Sequence, residues 1–103
     1  LPTLDELLGR PEYPEDRLTE RYLSWLRSDR PNVLTAHAEI EGMTKLEWFG
    51  GFLALAGRRG VRFARLDEIA TRLLRERASL PVCELVQDAI DGRSGTLAVQ
   101  RCA

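Results

Sequence analysis

Two short apolar segments, each set between amphipathic helical patterns, constrain the fold of this chain more than any other feature. The first is NVLTAHA, residues 32–38, and the second is VRFARL, residues 61–66. NVLTAHA has apolar residues on both faces, which is typical of a buried parallel strand. Strands that are joined through helices pair in parallel with right-handed crossovers. The pattern therefore predicts an α/β fold in which parallel strands alternate with helices.

The rest of the chain is predicted from helical spacing and from capping residues. The predicted helices cover 3–9, 13–31, 44–60 and 66–78, with Thr3, Thr44 and Asp67 as N-terminal caps and Pro14 in the first turn of the second helix. Gly50 and Gly51 predict close packing of the third helix against a neighbouring backbone. The tail predicts a short helix at 83–90, a turn at DGRSG (91–95) and a terminal strand at TLAVQ (96–100).

Composition indicates one soluble globular domain. The chain has 103 residues, of which 44% are hydrophobic and 30% charged, with a formal net charge of −1. This balance gives no reason to expect a nucleic-acid partner, which calls for a clustered basic face. Two cysteines, Cys83 and Cys102, are too few for a secreted disulfide scaffold, so we expect reduced thiols in a cytoplasmic protein.

Two sets of side chains have alternative interpretations. An isoprenoid chain or the hydrophobic core accounts for the aromatic residues Trp25, Trp48, Phe49 and Phe52, and their helical spacing favours the core. Seven arginines form either a face toward an anionic membrane or a solvated face, and the solvated face is the favoured interpretation. They are Arg58, Arg59, Arg62, Arg65, Arg72, Arg75 and Arg77.

The only histidine, His37, lies at the carboxyl end of the first predicted strand, and Glu39 and Glu41 lie in the loop beyond it. Ligands bind at the carboxyl ends of parallel strands, so this is where chemistry would occur. Two alternatives stay open on spacing alone: a hydrogen-bonded histidine that closes the strand, and a pair of solvated carboxylates.

A family resemblance favours chemistry. LTAH (34–37) resembles the Leu-x-x-His motif of the polysaccharide deacetylase family. One branch of that family removes the formyl group from undecaprenyl-phosphate-linked 4-formamido-arabinose, a step of lipid A modification. Four further segments resemble the closing third of this branch and occur in the same order: HAEIEG, GVRFARLDEI, LP at 80–81 and DGRSGTLAVQ. LPTLDELLG resembles the segment that precedes this region. Thr96 departs from the pattern, which has a tryptophan there.

The resemblance implies that residues 1–103 are one segment, the C-terminal βα units of a distorted (β/α) deacetylase barrel. A divalent metal, zinc or similar, would be held by an aspartate and two histidines of a missing N-terminal part of the same domain, where a further aspartate acts as base. No metal is expected on this segment itself. The implied partners are the lipid-linked amino sugar and, as peripheral contact, the inner membrane on its cytoplasmic side.

The resemblance also implies roles for single residues. His37 would be the general acid that protonates the departing nitrogen, a step that suits imidazole because its reference pKa is about 6.5. Leu34 would line the pocket for the acyl group. Glu39 and Glu41 would contact the sugar or orient His37, and the sequence does not decide between them. The alternative function is a small non-catalytic α/β module that binds a partner through exposed strand edges.

Overall fold

Four α-helices and two β-strands form within residues 1–102, the part of the chain that the computed structural model describes. In chain order they are α1 (Leu4–Leu7), α2 (Leu18–Trp25), α3 (Leu46–Arg58), α4 (Leu66–Arg75), β1 (Cys83–Asp88) and β2 (Leu97–Cys102). Short 3₁₀ turns cover Glu15–Arg17 and Arg77–Ser79, and a π-type turn covers Ile40–Thr44. The chain divides into two units. The first comprises Leu1–Val61 with Asp91–Arg93, and the second comprises Arg62–Ile90 and the chain from Ser94 onward.

Local hydrogen bonds set the ends of the first two helices. The Glu6 carboxylate accepts from the backbone N–H of Thr3 at 3.2 Å and from its hydroxyl at 3.1 Å, so the predicted start of α1 at Thr3 is confirmed. The helix α2 ends at Trp25 because the next residues form a side-chain-closed turn: Asn32 accepts from the N–H of Arg27 at 2.8 Å and donates to its carbonyl at 2.7 Å. The predicted helix up to residue 31 was therefore too long.

The core of the first unit is built around Tyr22, which has no exposed surface. Its ring lies 5.6 Å from that of Trp25, 5.7 Å from that of Trp48 and 5.8 Å from that of Phe52, each measured between centroids. These tilted and edge-on pairings are the geometries that aromatic quadrupoles favour. The interpretation of the aromatic residues as core is therefore confirmed. The buried members of the cluster are Leu4, Leu7, Tyr13, Leu18, Tyr22 and Phe52.

The helix α3 packs on this cluster with one face only. Phe52 and Ala56 are buried, whereas Leu46 on the predicted inner face is 57% exposed. A Cβ added at Gly50 or Gly51 would meet nothing within 4 Å, so the prediction of close backbone packing at the glycine pair was wrong. Both glycines lie on the exposed side of the helix.

The predicted secondary structure differs from the structure at three places. Residues 32–38 and 61–66 have no strand, and the residues predicted as a helix at 83–90 instead form β1. The two strands that do form are antiparallel, not parallel. Within residues 33–36 no backbone N–H donates to another backbone carbonyl. A strand exists only through hydrogen bonds to a neighbouring strand, and these segments have no such neighbour among the described residues. The (β/α) barrel class therefore stays a prediction.

The second unit contains an exposed amphipathic helix and a hairpin. Among its described residues none is buried, and Phe63, Leu66, Leu74, Val82 and Leu85 are 60%, 64%, 71%, 96% and 73% exposed. Burial of apolar surface is the main force that stabilises a fold, so this unit has little of its own to stabilise it.

A disulfide closes the open end of the hairpin. The strands pair in a register that sets Cys83 directly opposite Cys102, with 4.3 Å between their Cα atoms, and the two sulfurs are bonded. The prediction of two reduced thiols was therefore wrong. A separation of 19 residues gave no hint of pairing, because only the strand register brings the two side chains together.

The glycine of the segment Asp91–Arg93 has a packing role that can be tested. Gly92 has φ +82°, and an added Cβ would lie 2.8 Å from Cγ of Pro2 and 3.1 Å from Cδ2 of Leu7. Gly9 is the matched control because its φ is +76° and an added Cβ meets nothing within 4 Å. Both Gly→Ala variants incur the strain of positive φ, so we expect Gly92→Ala to lower the free energy of unfolding by roughly 1–3 kcal/mol more than Gly9→Ala. Equal losses in urea unfolding would contradict the contact.

The disulfide is expected to stabilise the hairpin mainly by restricting its unfolded chain. Closing a loop of this length contributes about 3 kcal/mol in the chain-entropy model. Adding a reductant should therefore accelerate amide hydrogen exchange in β1 and β2, measured by mass spectrometry. The double variant Cys83→Ser with Cys102→Ser is the control, and its exchange should be fast and insensitive to the reductant. Slow exchange in that variant would show that the strands do not need the bond.

Candidate functional site

The loop that carries His37 is held by the π-type turn that follows it. The carbonyl of His37 accepts from the N–H of Ile40 at 3.1 Å and from that of Glu41 at 3.0 Å. In the opposite direction, Oε2 of Glu41 accepts from the N–H of His37 at 2.7 Å. The main chain of His37 is thus fixed on both sides, and its imidazole projects from a rigid base.

The imidazole of His37 lies beside a carboxylate of α1. Nδ1 of His37 is 3.6 Å from Oδ1 of Asp5, just beyond hydrogen-bond distance, and the two side chains are 37% and 48% exposed. Such a pair is an ion pair only when the ring is protonated. The pKa of Asp5 is lowered chiefly by hydrogen bonding to the Thr3 side chain and further by the charge of His37.

Negative charge surrounds the centre of the same unit. Burial raises the pKa of the Tyr22 hydroxyl strongly, and the carboxylates of Glu41, Asp5 and Glu6 raise it further. That hydroxyl donates to the carbonyl of Pro2 at 3.1 Å. Tyr22 therefore stays neutral and serves as a hydrogen-bond donor, not as a base.

The four predicted site residues differ in their exposure and in their contacts. Glu41 is only 1% exposed, and its second oxygen, Oε1, is buried without a hydrogen-bond partner in the described part of the chain. Glu39 is exposed. Leu34 is half-buried and packs against the aromatic cluster. His37 and Glu41 are brought together, whereas the roles predicted for Leu34 and Glu39 toward a substrate stay predictions.

The sequence reasoning missed Asp5. Asp5 lies in the first turn of α1, where an acidic residue interacts favourably with the helix dipole and has no implied chemistry. Its distance of 32 residues from His37 gave no signal. The hydrogen bond from Tyr22 to Pro2 was also missed, although it anchors the segment that carries Asp5.

The described residues do not fit a metal. Within 1–102, no group of three or more His, Cys, Asp or Glu side chains is arranged to hold a metal ion. Two surface depressions do not have His37 in their lining: one is lined by residues between 67 and 76, and the other by residues between 12 and 24. Over the same residues, no helix has both the length and the apolar character to span a bilayer.

Comparison with known proteins points to one class, the deformylases of a lipid-linked amino sugar. No family model matches the chain. Over 100 residues, 97% of the chain, it is 31% identical to a protein of Shewanella sediminis named "Probable 4-deoxy-4-formamido-L-arabinose-phosphoundecaprenol deformylase ArnD". Over 70 residues, 68% of the chain, it is 36% identical to a protein of the same name from Wigglesworthia glossinidia brevipalpis.

These matches cover 32% and 23% of the two relatives, so the chain spans about a third of their length or less. The chain is thus similar, at low identity, to part of such a deformylase. This agrees with the resemblance that the sequence motifs show.

The buried hydroxyl of Tyr22 predicts a specific loss of stability in alkali. Its pKa in the folded state lies above the value of about 10 in the unfolded chain, so its contribution is complete below that pH and is lost as pH rises above it. We expect Tyr22→Phe to cost roughly 1 kcal/mol at neutral pH, because the Pro2 carbonyl loses its donor. Between about pH 9 and about pH 11 the variant should lose less stability in urea unfolding than the parent chain.

Tyr13→Phe is the matched control, because Tyr13 is 8% exposed and its hydroxyl donates to Asp91 at 2.6 Å. The pKa of Tyr13 is raised by that hydrogen bond, so this variant reports the second tyrosine separately. If Tyr22→Phe and the parent chain lose equal stability in alkali, Tyr22 is not the group responsible.

Proposed function

We propose that this chain is a segment of a metal-dependent carbohydrate N-deacylase that hydrolyses the formamide of undecaprenyl-phosphate-linked 4-formamido-arabinose. The geometric observation that carries the proposal is the imidazole of His37, fixed through its main chain and placed 3.6 Å from the carboxylate of Asp5. The similarity to two deformylases, which extends over 97% of the chain in one case, supports the same class of reaction.

His37 is the general acid of this proposal. Hydrolysis of an amide needs a proton on the departing nitrogen, since an amide anion is a very poor leaving group, and a positioned imidazolium supplies it. Asp5 stabilises the cationic ring and holds its orientation, as a carboxylate does beside a catalytic histidine in other hydrolases. Glu39, exposed beyond the histidine, is proposed to contact the sugar, and Leu34 to line the acyl pocket.

The divalent metal of this proposal is held outside the segment. The residues described here do not form a metal site, and in the Shewanella sediminis relative the chain outside the matched region is about twice as long as the matched region. We therefore propose that the rest of the same catalytic domain supplies the metal ligands and the base. The N–H groups of residues 33–36 donate to no backbone carbonyl, which supports this, because a neighbouring strand would satisfy them.

The second candidate function is a non-catalytic module that binds a protein through its exposed strands. The observation in its favour is the hairpin, where Val82 and Leu85 are 96% and 73% exposed. Exposed apolar strands invite pairing with another chain. The enzyme is preferred because the alternative gives no reason for the His37–Asp5 pair.

A chimera tests the proposal directly. In the Shewanella sediminis relative, the matching 100 residues are replaced by this chain, and release of formate from the lipid-linked formamido sugar is measured. We expect activity in the chimera, a decrease in kcat of roughly 100-fold in His37→Ala and of roughly 10-fold or more in Asp5→Asn. Asp67→Asn is the matched control and should change kcat by less than about 2-fold, since among the described residues the exposed Asp67 side chain contacts only Arg65 and the N–H of Glu68.

Two outcomes would contradict the proposal: a folded chimera that is inactive, and a His37→Ala chimera whose kcat equals that of its parent. The coding sequence that precedes Leu1 offers an independent check. The proposal expects an aspartate-rich segment of the Thr-Phe-Asp-Asp type there, followed by a His-x-x-x-His segment.

A further inference from the structure

Glu41 is the one fully buried charged side chain among the described residues, and its surroundings call for an explanation. A carboxylate that loses its contact with water is costly unless hydrogen bonds replace that water. Glu41 receives one such bond, from the backbone N–H of His37 at 2.7 Å, while its Oε1 has no partner in the described part of the chain. A residue that served only to fill this space would be better replaced by an apolar one.

The contact of Glu41 is with the main chain of His37, not with its ring. The ring faces Asp5, which lies on α1. The carbonyl of His37 is held by the backbone N–H groups of residues 40 and 41, so without the Glu41 carboxylate only the peptide group that follows the His37 Cα would be fixed. The direction in which the imidazole projects depends on both peptide groups that flank this Cα.

We propose that Glu41 is a positioning residue: its carboxylate fixes the main chain of His37 so that the imidazole stays beside Asp5. The inference rests on the proposed function for its consequence in catalysis. Its structural part stands on the hydrogen bond and burial alone. It also separates two carboxylates that the sequence left equivalent, because Glu39 is exposed and makes no contact with His37 among the described hydrogen bonds and ion pairs.

Two substitutions of similar size isolate the hydrogen bond. Glu41→Gln keeps an oxygen that accepts from the N–H of His37, whereas Glu41→Met fills the same space with only a weakly accepting thioether sulfur. Glu47 is the matched control: it lies on the exposed face of α3, has no ion pair or side-chain hydrogen bond in the described part of the chain, and receives the same two changes.

The first measurement is NMR on the 103-residue chain, where the single histidine gives one imidazole signal. In Glu41→Met we expect the His37 amide to exchange at least about 10-fold faster and the imidazole ¹⁵N resonances to move, whereas Glu41→Gln and both Glu47 variants should match the parent.

The second measurement is kcat in the chimera. We expect kcat to fall roughly 10- to 100-fold in Glu41→Met, with KM changed by less than about 3-fold, and to be largely restored in Glu41→Gln.

The outcomes separate the two proposals. An inactive chimera overturns the proposed function, while the NMR comparison still decides the role of Glu41. If Glu41→Met leaves the amide protection and the imidazole signal unchanged, or if Gln and Met perturb them equally, the positioning role is wrong. A loss of thermal stability in Glu41→Met without movement of the imidazole signal would show a purely structural role, and it too overturns the inference.

Discussion

The burial of Tyr22 is the constraint on which the first unit depends. Its ring contacts aromatic side chains of α2 and α3, and its hydroxyl donates to the carbonyl of Pro2. A buried phenol needs such a partner, so the segment that begins at Pro2 is tied to the core. That segment continues into α1, which carries Asp5. The pairing of Asp5 with His37 is therefore a consequence of the hydrogen bond that the Tyr22 hydroxyl donates to Pro2. The sequence gives no sign of this link.

The second unit follows a different logic, because it has no buried side chain among its described residues. Its helix α4 has a polar and an apolar face, yet the apolar face is left uncovered, with Leu66 and Leu74 mostly exposed. A monomeric protein rarely leaves contiguous apolar surface of this kind in water. The disulfide restrains the hairpin covalently but buries nothing. The exposed apolar side chains of this unit support the proposal that the chain is a segment of a longer domain, as do matches covering about a third of each relative or less.

Elements fixed by local chemistry were predictable from the sequence, and elements fixed by distant partners were not. The cap at Thr3, the helices α3 and α4, the turn at 91–95 and the terminal strand all follow from propensity and short-range hydrogen bonds. The segment NVLTAHA has strand propensity but no neighbouring strand in this chain, so propensity alone did not produce a strand. CELVQD was predicted as a helix and pairs instead with β2, because cross-strand contacts outweigh a weak helical preference. Of the residues in the proposed site, the sequence indicated His37 and Glu41, which lie four residues apart, but not Asp5.

A histidine that merely closed a loop would need one hydrogen bond and no more. His37 instead has its N–H bound by a buried carboxylate, its carbonyl bound by two N–H groups, and its ring left part-exposed beside a second carboxylate. Glu41 contacts the main chain of His37, whereas Asp5 lies beside its ring. Desolvating a carboxylate to hold a single peptide costs stability, and a structural loop has cheaper ways to be rigid. The arrangement supports the proposal that the direction of the imidazole matters, as proton transfer to a departing nitrogen would require.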